Sequence, residues 1–212
     1  MAKKTKAHIR YKNQLNKQVP GVTTILGILA KPALIHWAWN LGMDGQDYRK
    51  YRDKMADIGT LAHYLIMCHL INKKPDVSEY SKDDIDKAEN CILSFFEWEK
   101  EHPILPILVE KPLVSEAFQF GGTLDLLAKT NGSLILIDFK TGKAIYKEMG
   151  YQLAAYRQLA LENGHKISKA KILRIGRDED EGFEEREYTN LDVQWEIFKA
   201  CLTIYDTQKK EG

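Results

Sequence analysis

The sequence predicts an α+β fold, within the wider α/β class, in which a central mixed β-sheet of about five strands is flanked by helices. Apolar side chains recur at helical spacing through most of residues 22–72 and again in 81–100. Residues 104–140 are instead rich in Ile, Leu, Val and Phe and divide at turn residues into three strands. The remaining predicted elements are a helix at 146–162, strands at 169–176 and 183–189, and a last helix at 192–208.

Length and charge limit how the chain can be organised. With 212 residues, of which 44% are hydrophobic, it can bury one substantial core and is predicted to form a single domain. The 31 Lys and Arg residues balance 30 Asp and Glu residues, so the net charge of +1 gives no general reason to expect a polyanionic partner. The first twenty residues nevertheless form a basic arm without acids, with Lys3, Lys4, Lys6, Arg10, Lys12 and Lys17. This arm is either part of a nucleic-acid surface or a solvated tail.

Cysteine spacing and apolar runs indicate the compartment. Cys68, Cys91 and Cys201 are far apart and match neither a zinc or iron–sulfur spacing nor a secreted disulfide framework. No apolar run approaches the roughly 20 residues that span a bilayer, and the N-terminus lacks the apolar stretch of a signal peptide. We therefore expect a soluble cytoplasmic protein without membrane contact.

Capping residues indicate where the N-terminal helices begin. Thr23 or Thr24 is predicted to cap a short helix that reaches Ala30, and Ser81 to cap the long helix before the first strand. Between them, His63 shares a helical face with apolar residues. We therefore expect its imidazole to point inward.

A two-residue turn fixes the geometry of the second and third strands. Asn131-Gly132 lies between two apolar runs and is typical of a type I′ hairpin, which needs positive φ at both positions. With this turn, Asp125 faces Asp138 across the hairpin, and Lys140 lies two residues further along the same face. The other face is predicted to be uniformly apolar core, formed by Leu124, Leu126, Ala128, Ile135, Ile137 and Phe139.

The two opposed carboxylates repel each other, so another group is needed to offset this repulsion. Their Cβ atoms would lie about 4.5 to 5.5 Å apart, where like charges destabilise a sheet. A hard divalent cation relieves the repulsion, since Mg²⁺ is typically held by one or two carboxylates, waters and phosphate oxygens. Lys140 could orient or deprotonate a water molecule and stabilise charge on a phosphate. Asp125, Asp138 and Lys140 are thus predicted as a hydrolytic site; the alternative is an exposed strand face on which they only pair electrostatically.

Four segments carry a family resemblance, each weak alone and specific together. They are 59–63 (GTLAH), 121–125 (GGTLD), 137–141 (IDFKT) and 152–156 (QLAAY). In order and approximate separation they resemble the PD-(D/E)XK nuclease superfamily, and within it the branch of RecB-type and phage exonucleases. The resemblance covers about residues 57–160 and implies a restriction-endonuclease-like core. The domain would consist of a basic arm and helical region (1–56), a catalytic core (57–176) and a C-terminal strand and helix (177–212).

The resemblance also assigns roles to residues. It implies that His63, Asp125 and Asp138 bind metal, that the backbone carbonyl of Phe139 is a further candidate ligand, and that Lys140 is the catalytic lysine. Gln152 and Tyr156, together on one helix face, would line the cleft and contact phosphate or brace the lysine. The other supporting or nucleic-acid-contacting candidates are Gly122, Thr141 and Lys143, and the auxiliary acids are Glu110 or Glu116.

The activity implied by the resemblance is metal-dependent DNA exonuclease activity in recombination, repair or phage DNA processing, with one or two Mg²⁺ or Mn²⁺ ions. The three scattered cysteines exclude the four-cysteine iron–sulfur cluster of some relatives. A structure-specific endonuclease and an inactive DNA-binding module share the same residues and remain alternatives. DNA is the expected partner, and any recombination, helicase or single-strand-binding protein would be separate. Oligomers occur among similar nucleases, and the expected location is the cytoplasm of a bacterium or phage-infected cell.

Overall fold

A computed structural model describes residues 9–211 of the chain. In order, the elements are α1 (Val22–Leu26), α2 (Pro32–Met43), α3 (Tyr48–Leu70), α4 (Lys82–Glu101), β1 (Leu105–Ser115), β2 (Phe120–Thr130), β3 (Ser133–Lys140), α5 (Lys147–Glu162), β4 (Lys169–Ile175), β5 (Phe183–Tyr188) and α6 (Asp192–Glu211). This order confirms the predicted α+β fold, with both C-terminal strands present. Among the described residues, no helix is long and apolar enough to cross a membrane. Lys3, Lys4 and Lys6 of the basic arm lie outside the described residues.

The five strands form one mixed sheet in the order β1-β2-β3-β4-β5. Neighbouring strands are antiparallel except β3 and β4, which are parallel. Parallel neighbours need a crossover connection, and α5 provides it. The strand that carries Asp138 and Lys140 is therefore the central strand of the sheet.

Helices cover the sheet on two sides and form two core clusters. One cluster packs α1, α5 and α6 against the sheet, and the other packs α3 and α4. The predicted cap of α4 is confirmed, because the Ser81 side chain accepts a hydrogen bond from the Asp84 backbone N–H. From this cap, α4 buries one apolar stripe at helical spacing, formed by Ala88, Cys91, Phe95 and Trp98.

The first helix differs from its prediction at both ends. It begins at Val22, directly after Gly21, and not after a threonine cap. It ends at Leu26, short of Ala30. Gly21 is extended and forms a bridge with Gly121 next to the sheet, so a long-range contact fixes where the helix starts.

The turn at Asn131-Gly132 has φ angles of 47° and 81°, as a type I′ hairpin requires. The predicted register is confirmed from this turn as far as the pair Leu126 and Ile137. One step further the regular pairing ends. There the Asp125 carboxylate accepts a hydrogen bond of 2.8 Å from the backbone N–H of Phe139. The first carboxylate thus binds the backbone of β3 beside the second.

The predicted apolar face is wrong at one residue. Leu124 and Leu126 were expected to share a face, but Leu124 packs with α5 and Leu126 packs with α3 and α4. The alternation breaks at Asp125, between them. Opposite this point, Glu110 in β1 has a φ of +46°, a left-handed conformation that bends a strand as a bulge does. Both carboxylates lie close to His63 of α3.

Candidate active site

Three potential metal ligands meet where β1 and β2 bend. His63 Nδ1 lies 3.4 Å from Glu110 Oε1 and 3.7 Å from Asp125 Oδ2. One ligand atom from each of the three residues lies within 4.8 Å of the others. An imidazole with two carboxylates is a donor set that suits a divalent cation. Glu110, which the sequence could not separate from Glu116, therefore joins two of the predicted ligands.

Helix α3 presents the histidine because its apolar stripe docks on the sheet. The stripe consists of Ile58, Leu61, Ala62, Leu65 and Ile66. His63 lies beside this stripe, with 27% of its side chain exposed. Its ring makes an edge contact with Phe139, at a centroid distance of 6.0 Å. The histidine is therefore at the rim of the core and not within it.

The carboxylate of Asp138 is buried, with 1% exposure, on the central strand. Lys140 Nζ lies 2.5 Å from its Oδ2, while its Oδ1 is buried without a hydrogen-bond partner among the described residues. Buried charged oxygens with unused lone pairs are costly unless a cation satisfies them. The environment of Asp138 thus fits a metal ligand better than a purely structural ion pair.

Burial and a neighbouring carboxylate raise the pKa of both aspartates. Burial raises the pKa of Asp138 to about 6, and the nearby Asp125 charge adds to the rise while Lys140 opposes it. Burial likewise raises the pKa of Asp125, although His63 opposes it. These carboxylates are held at a free-energy cost that a bound cation would offset.

The pKa values of His63 and Lys140 are raised as well, and for these two groups a raised pKa favours the charged form. Burial disfavours the charged imidazole, but Asp125 and Glu110 outweigh it and raise the pKa of His63 to about 9. Burial also opposes the ammonium of Lys140, yet Asp138 and Asp125 raise its pKa above the ordinary value. Lys140 is thus an ammonium at neutral pH, suited to stabilising negative charge, and His63 must release a proton when it binds metal.

Helix α5 carries both predicted cleft residues, of which Tyr156 lines the cleft and Gln152 does not. Gln152 Nε2 donates a hydrogen bond of 2.8 Å to the Tyr156 hydroxyl. Burial raises the pKa of Tyr156 well above its ordinary value, and the charges of Asp138 and Asp125 raise it further. The phenol therefore stays protonated beside the acids. Gln152 positions Tyr156, and Tyr156 faces the cleft.

The cleft itself is a cavity of about 590 Å³ above the three clustered ligands. Its lining comes from the basic arm, α1, α3, β1, β2, the segment after β3, and α5. The residues are Ile9, Tyr11, Thr23, Met55, Ala56, Gly59, Thr60, His63, Tyr64, Met67, Glu110, Thr123, Asp125, Thr141 and Tyr156. Predicted site residues from four separate parts of the chain thus line one space.

Thr141 and Lys143 are placed differently. Thr141 lines the cleft, and its Oγ1 would lie 2.8 Å from a Cβ at Gly59, so a side chain there would collide with it. Gly59 thus lets α3 approach the end of β3 closely. Lys143 lines a second cavity, beside Tyr51 and Arg177. Its role as a phosphate contact stays a prediction.

Protein side chains occupy the space beside Gly121 and Gly122 of β2, the second of which was predicted to support the site or contact nucleic acid. A Cβ at Gly121 would lie 2.3 Å from Cγ of Tyr11, and one at Gly122 would lie 2.7 Å from Cε1 of Tyr156. Tyr11 was not predicted as a site residue, yet its hydroxyl is 3.0 Å from Thr123 Oγ1 in the cleft. The glycines were the only sequence signal for this contact.

A family model for the PD-(D/E)XK nuclease superfamily matches residues 46–203. The chain belongs to this superfamily. The match runs from just before α3 into α6 and includes Glu110 as well as the four segments of the sequence resemblance. PD-(D/E)XK nucleases use divalent metals, and the cluster of His63, Glu110 and Asp125 is compatible with one.

Comparison with individual proteins gives less information about this PD-(D/E)XK chain than the family model does. No curated protein matches it. Nineteen chains of solved structures match. One, described as the crystal structure of SSO0001, is 16% identical, with a TM-score of 0.36 over 60% of this chain and 68% of that chain.

The two auxiliary acids of this PD-(D/E)XK chain form a matched pair for a metal-binding test. Glu110→Gln should weaken Mn²⁺ binding on the order of tenfold, because it removes a charged ligand from the cluster. Glu116→Gln should leave it unchanged, since the Glu116 carboxylate accepts a hydrogen bond from the Gln14 backbone N–H instead. Isothermal titration calorimetry measures both. Equal affinities for the two variants would remove Glu110 from the ligand set.

The glycines offer a stability test of the packing under the cleft. Gly122→Ala should lower the free energy of unfolding by about 1–3 kcal/mol, because the new methyl group overpacks against Tyr156 and Leu159. Gly142→Ala is the control, as no atom lies within 4 Å of its added Cβ. Urea titration compares the two. A Gly122→Ala protein as stable as the control would show that the packing is loose there.

Proposed function

We propose that this chain is a divalent-metal-dependent DNA exonuclease of the RecB-type and phage branch of its superfamily. The supporting observation is that the cluster of His63, Glu110 and Asp125 lies beside the buried pair of Asp138 and Lys140. Metal ligands and a charged lysine next to one open cleft are the parts that phosphodiester hydrolysis requires. The choice of exonuclease rests on the sequence resemblance.

Four side chains would bind the metal ion. His63, Glu110 and Asp125 would hold a divalent cation, with Asp138 as a fourth donor through its Oδ1, which has no hydrogen-bond partner among the described residues. When bound, the cation supplies Lewis-acid stabilisation and lowers the pKa of water. The backbone N–H of Phe139 donates to Asp125 and orients its carboxylate. The number of ions, one or two, and their identity, Mg²⁺ or Mn²⁺, are part of the proposal.

Lys140 and Tyr156 would act on the phosphate. The Lys140 ammonium is fixed by Asp138 and places positive charge where a phosphate oxygen gains negative charge. The Tyr156 hydroxyl stays protonated and accepts from Gln152, so its own proton is free to donate to a phosphate oxygen. Both groups are positioned before substrate arrives, which lowers the cost of reaching the transition state.

End-labelled linear DNA, single- and double-stranded, tests the activity. We expect Mg²⁺ or Mn²⁺ to release short products from the ends and EDTA to stop the release. Covalently closed circular DNA should stay intact under the same conditions. Efficient cutting of circles would replace the exonuclease with an endonuclease, and binding without cutting any DNA would favour the inactive binding module.

The biological setting is also a proposal. A cytoplasmic nuclease in recombination, repair or phage DNA processing would act on DNA ends that a separate helicase opens or a single-strand-binding protein coats. The complete set of Asp125, Asp138 and Lys140 supports turnover, since a binding module needs none of the three. Any oligomer would have to leave the cleft open.

A further inference from the structure

A second groove opens beside the catalytic cleft. It has a volume of about 420 Å³ and lies between the N-terminal arm, α1 and the end of α6. We call it the arm groove, and its lining residues are Ile9, Arg10, Tyr11, Gln18, Val19, Pro20, Gly21, Thr23, Thr24, Tyr205 and Lys209. Ile9, Tyr11 and Thr23 line the catalytic cleft as well. The two spaces are therefore neighbours that share one wall.

The arm groove is basic. Among residues 9–211, Arg10 and Lys209 line it without any carboxylate, and neither takes part in an ion pair. Gln18, Thr24 and Tyr205 add neutral hydrogen-bond donors. By contrast, the cavity that Lys143 lines also contains Asp178, Asp180 and Glu181. Although the whole chain is nearly neutral, this groove presents unpaired positive charge.

Tyr11 stands where the two spaces meet. Its ring covers Gly121 and its hydroxyl bonds to Thr123, two residues before Asp125. Pro20 accepts a hydrogen bond from the Gly121 backbone N–H, which ties the arm to β2. The arm groove is therefore held at a fixed position relative to the metal ligands. A chain of phosphates that leaves the acids can follow this wall to the cations.

We propose that the arm groove binds the phosphate backbone of the DNA strand whose scissile phosphate lies in the cleft, with Arg10 and Lys209 as the phosphate contacts. The inference rests on the proposed function, because it assumes that the cleft takes DNA. Phosphate contacts position a strand without reading its sequence. The groove therefore sets affinity and salt dependence, while the acids and Lys140 carry out the chemistry.

The test compares two double variants of the full chain. Arg10→Ala with Lys209→Ala removes the groove cations, and Lys74→Ala with Lys129→Ala removes two exposed cations outside both spaces. Fluorescence anisotropy measures binding of labelled single-stranded and duplex DNA, with Ca²⁺ replacing Mg²⁺ and intact DNA checked on a gel. Circular dichroism melting confirms that each variant folds.

We expect the groove variant to bind DNA about tenfold more weakly at moderate salt, and its plot of log K against log salt to be flatter by about 1.4 for a single strand. With Mg²⁺, its KM should rise while kcat changes little. The control should match the unaltered protein in affinity, in salt slope and in both kinetic constants. If Arg10→Ala perturbs folding, Lys209→Glu alone is tested, since Lys209 is exposed near the end of α6.

The outcomes distinguish failure of the arm-groove proposal from failure of the proposed nuclease activity. An unaltered protein that cuts DNA, together with a groove variant of unchanged affinity and salt slope, would overturn the groove alone. An equal loss in the control would overturn it too, because the effect would then be general charge. A protein that neither binds nor cuts DNA would overturn the proposed function and the groove with it. A loss of affinity for single-stranded or duplex DNA that is confined to the groove variant supports the inference.

Discussion

Lys140→Ala should lower the rate of metal-dependent DNA hydrolysis about 100-fold or more while the protein stays folded. The ammonium is fixed by Asp138 at 2.5 Å, and burial of most of the side chain, 19% exposed, strengthens its field on a nearby phosphate. Alanine leaves no donor in its place. Initial rates of product release from end-labelled DNA with Mg²⁺ measure the loss.

Lys169→Ala is the matched control for this loss. Lys169 lies on the neighbouring strand β4 and pairs with Glu187 at 2.9 Å, away from the cleft. Its removal should leave the rate within about twofold, as expected for a surface ion pair of little energetic value. A Lys140→Ala protein that is folded and still cuts at nearly the original rate would exclude Lys140 from the chemistry.

Asp138→Asn should abolish hydrolysis and also make the metal-free protein more stable at pH 8, by about 1–3 kcal/mol. The rise in the pKa of Asp138 from 3.8 to about 6 corresponds to a penalty on the order of 3 kcal/mol for holding the charge in the fold. An amide of the same shape avoids that penalty. Thermal melting in EDTA measures the gain, and added Mn²⁺ should raise the melting temperature of the unaltered protein more than that of the variant.

The pH dependence identifies the carboxyl responsible. Because the folded pKa exceeds the unfolded one, the folded protein binds the proton more tightly, so its contribution to stability is fully present below about pH 4 and is lost as pH rises to about 6. Asp138→Asn should show a smaller loss, because only Asp125, whose pKa is also raised, then contributes to it. His63 has a raised pKa as well, but its loss falls between about pH 6.5 and 9 and is separable.

An exposed aspartate provides the control for this stability test. Asp206→Asn, on α6, changes the same formal charge without affecting a buried group, so its stability should stay within about 0.5 kcal/mol of the unaltered protein. A marked loss of stability in Asp138→Asn would contradict the prediction. It would mean that the Asp138 and Lys140 pair is a structural support and not a strained metal site.

The parts of the site that the sequence predicted depend on local rules. Positive φ at Asn131-Gly132 and strand alternation set the hairpin, and these act within a few residues. They correctly place Asp138 and Lys140 on one strand, at its C-terminal end. The predicted pairing of Asp125 with Asp138 lies beyond the observed register, which ends at Leu126 and Ile137, and the Asp125 carboxylate instead accepts a hydrogen bond from the backbone N–H of Phe139.

The rest depends on contacts between distant segments. Choosing Glu110 over Glu116 needs the register of β1 and a left-handed residue within it, and neither leaves a mark in the local pattern. Tyr11 reaches the site from 112 residues away through its bond to Thr123. Gly121 and Gly122 leave room for close packing on β2, but a glycine does not specify which side chain fills that room.

The position of β3 at the centre of the sheet gives the site two unequal halves. Asp138 and Lys140 lie on β3, which has two strands on each side. The amides of β3 should therefore exchange with solvent only when the whole domain opens. Glu110 lies on an edge strand and His63 on a helix, and such elements open locally at lower cost. A bound cation would join the two halves and slow exchange along α3 and β1, so metal occupancy could be followed in the amides of residues that never touch the ion.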